Sequence, residues 1–339
     1  MNLSNSGSLL ACLAFAVMTP FAHSAPTTVS PMDMVFTSDP QYPWTEKTDA
    51  GETQTDSYRD SRSKWLIETQ YNDIASFRQN FGGAAQVPVM INGDITAYGH
   101  GWQRSVVKPI LDSKLLGMYD YGLGNHDYEN NVDDCLFNNC AAGSIEDFLD
   151  RYAGENGRAD NIDVRGEQGG GIGSSVFGSL AYSKNFGDVH IVQLNNEPTY
   201  SVSFTAYNWL TPKNYKLTDS LDWLESDLKD AREKDQIIIL NMHKPRWDGS
   251  DQQLSRFSKM IKDYKVTAVF AGHFHWFSGQ YRSASSEFGD VPLFLSGAAS
   301  QQTYLIASFS KERDKLMIYR VTGNNWPSRK LESTISVQR

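Results

Sequence analysis

Short apolar runs recur along this chain, and several stop at a polar residue able to bind a cation. Met34-Val35-Phe36-Thr37 ends at Ser38-Asp39-Pro40-Gln41, and Val87 to Ile91 ends at Asn92-Gly93-Asp94. A weaker run before Gly122 leads into Gly124-Asn125-His126-Asp127. Gln236 to Leu240 leads into Asn241-Met242-His243, and Lys265 to Phe270 into Gly272-His273-Phe274-His275. Apolar runs this short, bounded by turn residues, read as buried strands. Leu180 to Asn185 and Val189 to Leu194 read the same way. Helical spacing separates them. Ile67, Tyr71, Ile74 and Phe77 share one face of a helix over Arg59 to Asn80. Leu221, Leu224, Leu228 and Ala231 share one face over Thr218 to Arg232, with Asp219 near its start. Helices are also expected over Gly101 to Asp112 and over 144–153. After His275 the pattern becomes all strand, at about 278–283, 291–296, 303–309 and 315–321.

This order predicts an α/β fold: a layered β-sandwich flanked by helices, with a dinuclear metal site at the strand carboxyl ends, where loops converge. Residues 26–33 and 43–58 read as loop. The stretch 154–178, with Gly166, Gly169, Gly170, Gly171 and Gly173, lacks the Gly-Lys-Ser/Thr ending of a phosphate loop. It reads as a flexible surface loop or a lid.

Composition narrows the classes. The chain has 339 residues, 40% of them hydrophobic, which suffices for one large core. Its net charge is −9 and it has no Lys/Arg-rich run, which argues against a nucleic-acid-binding surface. A small phosphorylated substrate stays compatible, because bound metal would supply positive charge. Ser8 to Met18 is an apolar stretch of signal-peptide length, broken by Pro20 and followed by small residues at Ala22 to Ala25. Cleavage near Ala25 would leave a single domain over 26–339, exported to the periplasm or secreted. The competing reading is an uncleaved anchor, since no Lys or Arg precedes Lys47. No later segment is apolar enough to span a membrane. Cys135 and Cys140 then read as a local disulfide, with free thiols or a small metal clip with Asp133 and Asp134 as alternatives.

The ordered motifs resemble the calcineurin-like metallophosphoesterases, whose signature runs Asp-x-His, Gly-Asp, Gly-Asn-His-Asp/Glu, a lone His, then Gly-His-x-His. The final strands also fit that family's second sheet. The resemblance implies that Asp39 and His275 bind a first metal, that Asp94 bridges two metals, and that Asn125, His243 and His273 complete the second. It implies that His126 is no ligand but faces the leaving-group oxygen. Elementary chemistry agrees with these roles. A carboxylate can bridge two cations about 3.5–4 Å apart, and two cations acidify a bridging water to hydroxide. Imidazole and carboxylate suit Mn, Fe or Zn better than Ca. Gln41 departs from the pattern, which has His there; its amide oxygen can still coordinate a hard cation, more weakly.

The expected function is an exported hydrolase of phosphoric esters, mono- or diester, in which a metal-bridging hydroxide attacks in line. The alternatives are a metal-poor scaffold that keeps the fold, favoured only by Gln41, and a phospholipid head-group hydrolase. Of the seven histidines, His190 lies in an apolar strand and reads as a core residue, and His100 as a loop residue able to line the cleft. Arg104 and Arg246 are candidate phosphate clamps, and Asn195 or Asn196 a candidate substrate contact. Tyr42, Trp44, Tyr98 and Trp276 flank the motifs, able either to stack on a ligand or to pack.

Overall fold

The structure, a computed structural model, describes residues 30–154, 157–168, 174–208, 211–282 and 285–339. The presumed signal segment and Gly169 to Gly173 lie outside the described residues. Alternation along the strands explains the layering. Met34 and Phe36 point to one side of their strand, and Val35 to the other. Ile237 and Ile239 likewise part from Ile238 and Leu240. Strands that are apolar on both faces must be covered on both faces. The core accordingly forms three apolar layers: one between two sheets, and one between each sheet and its helices.

The first sheet runs Lys330–Ser336, Lys315–Thr322, Thr303–Phe309, Asp33–Thr37, Val89–Ile91, Asp120–Tyr121. The second runs Ser278–Gln280, Leu293–Ser296, Ala268–Ala271, Ile237–Asn241, Val189–Gln193, Tyr182–Phe186, Asn161–Ile162. Phe36 of the first stacks on Phe270 of the second, with ring centroids 3.7 Å apart. Helices Asp56–Asn80, Gly101–Leu115 and Asn139–Tyr152 cover the outer face of the first sheet. Leu221–Glu233 and Asp251–Asp263 cover the second.

The functional consequence lies in strand direction. Asp33–Thr37, Val89–Ile91 and Asp120–Tyr121 are parallel to one another. So are Val189–Gln193, Ile237–Asn241, Ala268–Ala271 and Leu293–Ser296. Within each sheet, all motif-bearing strands therefore end on the same edge.

The structure differs from the sequence reading in specific places. The stretch 43–58 is not all loop: Thr45 caps a short helix, Glu46–Asp49, by accepting the Thr48 N–H at 3.2 Å. The stretch 154–178 is not a free lid in its described parts. Arg165–Gln168 and Ser174–Gly178 join Thr211–Leu217 and Val202–Asn208 in a third, four-stranded sheet. Its inner residues Val176, Phe204, Tyr215 and Leu217 reach the core beside the first sheet's helices. Cys135 and Cys140 form a disulfide in the loop after the Asn125-His126 motif. No helix among the described residues is long and apolar enough to cross a membrane.

Phe270 is fully buried where the two sheets meet. Phe270→Ala should destabilise the fold by about 3–5 kcal/mol, measured by chemical denaturation. A loss below about 1 kcal/mol would show that the inter-sheet layer repacks freely.

Candidate metal centre

Three of the five motifs leave their strands by turns that ordinary residues resist. Asp39, Gln41, Asp94 and His273 all adopt positive φ, at 51°, 40°, 51° and 70°. Such non-glycine positions cost roughly 1–3 kcal/mol each and persist only where surroundings hold them. Here the loops hold one another. Asp39 N–H donates to Gly93 O at 3.1 Å, and Gln41 N–H to Asp94 O at 2.9 Å. Ser38 Oγ donates to Asn92 O at 3.0 Å, and Gly272 N–H to His243 O at 3.0 Å. Glycine is required at two of the crossings. A Cβ on Gly124 would stand 2.2 Å from Asp94 Oδ1, and one on Gly272 1.8 Å from Ser38 Oγ.

The side chains converge in two groups that share one residue. Asp39, Asp94 and His275 present ligand atoms within 4.8 Å of one another, and so do Asp94, His243 and His273. Asn125 Oδ1 lies 3.0 Å from His243 Nε2, which also faces Asp94 Oδ2 at 3.1 Å. Both imidazoles are turned by their outer nitrogens. A carbonyl only accepts, so His243 Nδ1 donates to Asn92 O at 2.7 Å and presents Nε2 inward. His275 Nδ1 meets Asp49 Oδ1 at 2.6 Å, leaving Nε2 toward Asp39 Oδ1 at 3.1 Å. Asp49 is itself held by Ser300 and Gln301, and by Trp44 Nε1 at 2.7 Å.

Asp39 and Asp94 are buried, each 1% exposed. Burial disfavours their charge, so opposite charge must lie close. For Asp94, burial pushes the pKa up, but His243 outweighs it and holds the carboxyl well below the usual range. For His275, burial pulls the pKa down, and Asp39 and Asp49 overcome it to reach about 10. His243 rises to about 9 in the same way, mainly through Asp94. His273 falls to about 4, through burial and the neighbouring charge of His243. Two buried carboxylates among imidazoles thus form a donor set that suits a cation. The donor set suits a metal on a second count. Gln41 is 1% exposed, and neither its amide oxygen nor its amide nitrogen has a hydrogen-bond partner.

His126 stands apart from both groups. Its Nδ1 donates to Ala97 O at 2.8 Å, its backbone N–H donates to Asp94 Oδ1 at 2.9 Å, and the Nε2 of its half-buried ring has no hydrogen bond among the described residues. Asp127 braces this corner by accepting the N–H groups of Ile95, Thr96 and Gly124 at 2.9–3.0 Å. Every residue expected at the site from the motifs is therefore placed at this strand edge.

Other candidates fall elsewhere. Arg104 pairs with Asp147 at 2.9 Å and holds Gly99 O, so it clamps a loop and not a phosphate. Arg246 is exposed. Asn195 ties Leu123 N–H to Leu180 O, and Asn196 donates to Glu129 Oε2 at 2.8 Å. His190 is a core residue bonded to Asp227 at 2.8 Å. The sequence reading missed Asp49, whose only trace is an acidic residue ten positions beyond Asp39. It also missed Lys244, which pairs with Glu129 and Glu197 at 2.5 and 3.4 Å. Adjacency to His243 was the available signal.

A layered α/β sandwich with buried carboxylates and imidazoles at one strand edge defines a class of metal-dependent hydrolases. Residues 32–277 match the calcineurin-like phosphoesterase family, and the chain belongs to that family. Membership makes it a phosphoric ester hydrolase of the metal-dependent kind. Among solved structures it is similar to TT1561 of Thermus thermophilus, at 12% identity and a TM-score of 0.41, covering 86% of this chain and 99% of that one. It is also similar to a protein serine/threonine phosphatase from Saccharomyces cerevisiae, at 10% identity and a TM-score of 0.33, covering 88% and 84%. No curated protein matches the chain.

Asp49 fixes the ring and tautomer of His275. Asp49→Asn should weaken divalent-metal affinity of the Asp39, Asp94 and His275 group by about tenfold or more, read by calorimetric titration. Unchanged affinity would show that the contact does not tune the site.

Proposed function

We propose that the protein is an exported hydrolase of small phosphoric esters that uses two transition-metal ions of the Mn, Fe or Zn type. The observation that carries this reading is the sharing of Asp94 between two ligand groups. Asp39, Asp94 and His275 would hold one ion, with the free amide of Gln41 available to it. Asp94, Asn125, His243 and His273 would hold the other. Imidazole and carboxylate donors together favour such metals over calcium. When bound, the pair supplies positive charge to the phosphoryl oxygens and lowers the pKa of water toward neutrality.

The chain's own groups then divide the work. Asp94 sets the spacing of the two ligand groups and fixes the flanking loops, its carbonyl accepting the Gln41 N–H and its Oδ1 the His126 N–H. His243 and His275, locked through their outer nitrogens, cannot swing away. Asp39 accepts the His273 N–H at 3.1 Å, which ties the first motif to the last. His126, anchored through Nδ1, would donate from Nε2, as the doubly protonated ring, to the oxygen that leaves phosphorus. Export is supported by the apolar stretch Ser8 to Met18 and by the disulfide Cys135–Cys140, which suits an oxidising compartment.

His126→Ala should lower kcat on an unactivated alkyl phosphate about 10²–10⁴-fold while metal content by elemental analysis stays close to wild type. Asp94→Ala should lose metal as well as activity. Full activity in the first variant would remove His126 from the mechanism. Retention of both ions in the second would remove the bridge.

A further inference from the structure

The wall beside His126 is aromatic, and hydrolysis alone gives its exposed rings no task. The segments that build it are joined by backbone. Tyr42 and Thr96 form a parallel bridge, and Ala97 N–H donates to Tyr42 O at 3.0 Å. The Trp44 ring meets His126 and His275 edge-on, at centroid distances of 5.3 and 5.8 Å. One residue beyond the carbonyl that anchors His126 comes Tyr98, which is 41% exposed. Its ring lies 5.8 Å from His100, which lies 6.3 Å from Trp102. Trp102 is 49% exposed and meets Tyr42 edge-on at 5.8 Å.

These rings sit on backbone that is held in place. Gly99 N–H donates to Thr96 Oγ1 at 2.9 Å, and Tyr98 N–H donates to Gln103 Oε1 at 3.0 Å. Trp102 Nε1 donates to His100 Nδ1 at 3.2 Å. Gly99 has φ of +63°, and a Cβ there would stand 2.7 Å from Asp127 O and from Asn131 Nδ2. The loop is thus packed on the segment that carries His126. Half-exposed aromatic rings on fixed backbone bind a flat partner with little loss of conformational freedom.

We propose that Trp44, Tyr98 and Trp102 form the leaving-group subsite, and that it takes an alcohol bearing a planar aromatic ring, such as a nucleoside, in preference to glycerol or a sugar. This deepens the hydrolase reading above and rests on it. His126 decides between an alcohol and a phenol. A phenolate leaves without a proton, whereas an alkoxide needs one, so a positioned acid is useful to an alkyl ester. The alcohol linkage also sets the ring a few bonds beyond the leaving oxygen, and Tyr98 follows directly on Ala97, whose carbonyl anchors His126. The net charge of −9 disfavours a polynucleotide, which leaves small nucleoside esters. In the reaction the bond from water oxygen to phosphorus forms and the bond from phosphorus to nucleoside oxygen breaks. The leaving oxygen takes the Nε2 proton of His126 in its doubly protonated form, the attacking water gives up a proton to solvent, and solvent returns one to His126.

The test compares kcat/KM for adenosine 5′-monophosphate, phenyl phosphate and glycerol phosphate, and for their methyl diesters, with the metal-loaded full chain. Wild type should favour the adenosine ester over the glycerol ester by about tenfold or more. Tyr98→Ala and Trp102→Ala should shrink that ratio mainly through KM, and Tyr98→Phe should restore it. Adenosine alone should quench tryptophan fluorescence in wild type and bind more weakly to Tyr98→Ala. Equal kcat/KM for the adenosine and glycerol esters would overturn the subsite, and so would an equal fall for both in the variants. A preference for phenyl phosphate over the adenosine ester would overturn the nucleoside assignment. Absence of hydrolysis of every ester would overturn the hydrolase reading instead, and adenosine binding would then still decide whether the rings form a subsite.

Discussion

Two carboxylates, Asp39 and Asp94, are buried at the edge where strands of two sheets end, and the rest of the site answers to that constraint. A buried carboxylate needs positive charge or several donors close by. The groups that meet these two are the imidazoles of His275 and His243, and each arrives from the second sheet while the carboxylates arrive from the first. The electrostatic demand and the inter-sheet packing therefore hold the same edge together. Phe36 stacked on Phe270 fixes the sheets behind the site, and Asp39 with His275 and His273 fixes them in front.

The two sheets contribute through direction more than through shape. Parallel strands deliver every motif to the same edge, so loops distant in sequence can bond to one another there. The close crossings that result leave no room for a Cβ at Gly124 or Gly272. They also force Asp39, Gln41, Asp94 and His273 into the left-handed region. Strain at these positions is tolerated because the surrounding strands are regular and fully covered. Asp127 illustrates the same economy: one buried carboxylate satisfies three backbone N–H groups where two loops meet.

What was legible in the sequence follows from this. Asp39, Asp94, Asn125, His126, His243, His273 and His275 could be read because each follows a short apolar run, and strand ends are recognisable locally. Asp49 could not, because it lies in a polar stretch and its partner His275 is 226 residues away. The third sheet was hidden for another reason. Its strands carry Glu167, Gln168, Lys213 and Asn214, and only alternate residues such as Tyr215 and Leu217 are buried. Half-buried strands of that kind look like loop when glycines surround them. The helix Asp251–Asp263 had a usable signal that went unread, the reciprocal cap between Ser250 and Gln253.

Gln41 ties these points together. An imidazole at this position would bring a strong neutral donor to the first ligand group, and the amide that replaces it is weaker. The amide is nevertheless buried with both polar atoms unpartnered, a state that costs roughly 1–3 kcal/mol unless something binds it. It adds to four strained backbone positions and two buried carboxylates at this edge. A cation held by the Gln41 oxygen and both carboxylates would offset the cost of that oxygen and of the two buried charges, leaving the amide nitrogen and the backbone strain, so its binding energy would add to folding stability. Asp49 works in the same direction, because a carboxylate behind His275 strengthens the one imidazole that this group has. The weaker donor at position 41 and the support from position 49 would act on the same ligand group, and the affinity of that group would be set by their balance.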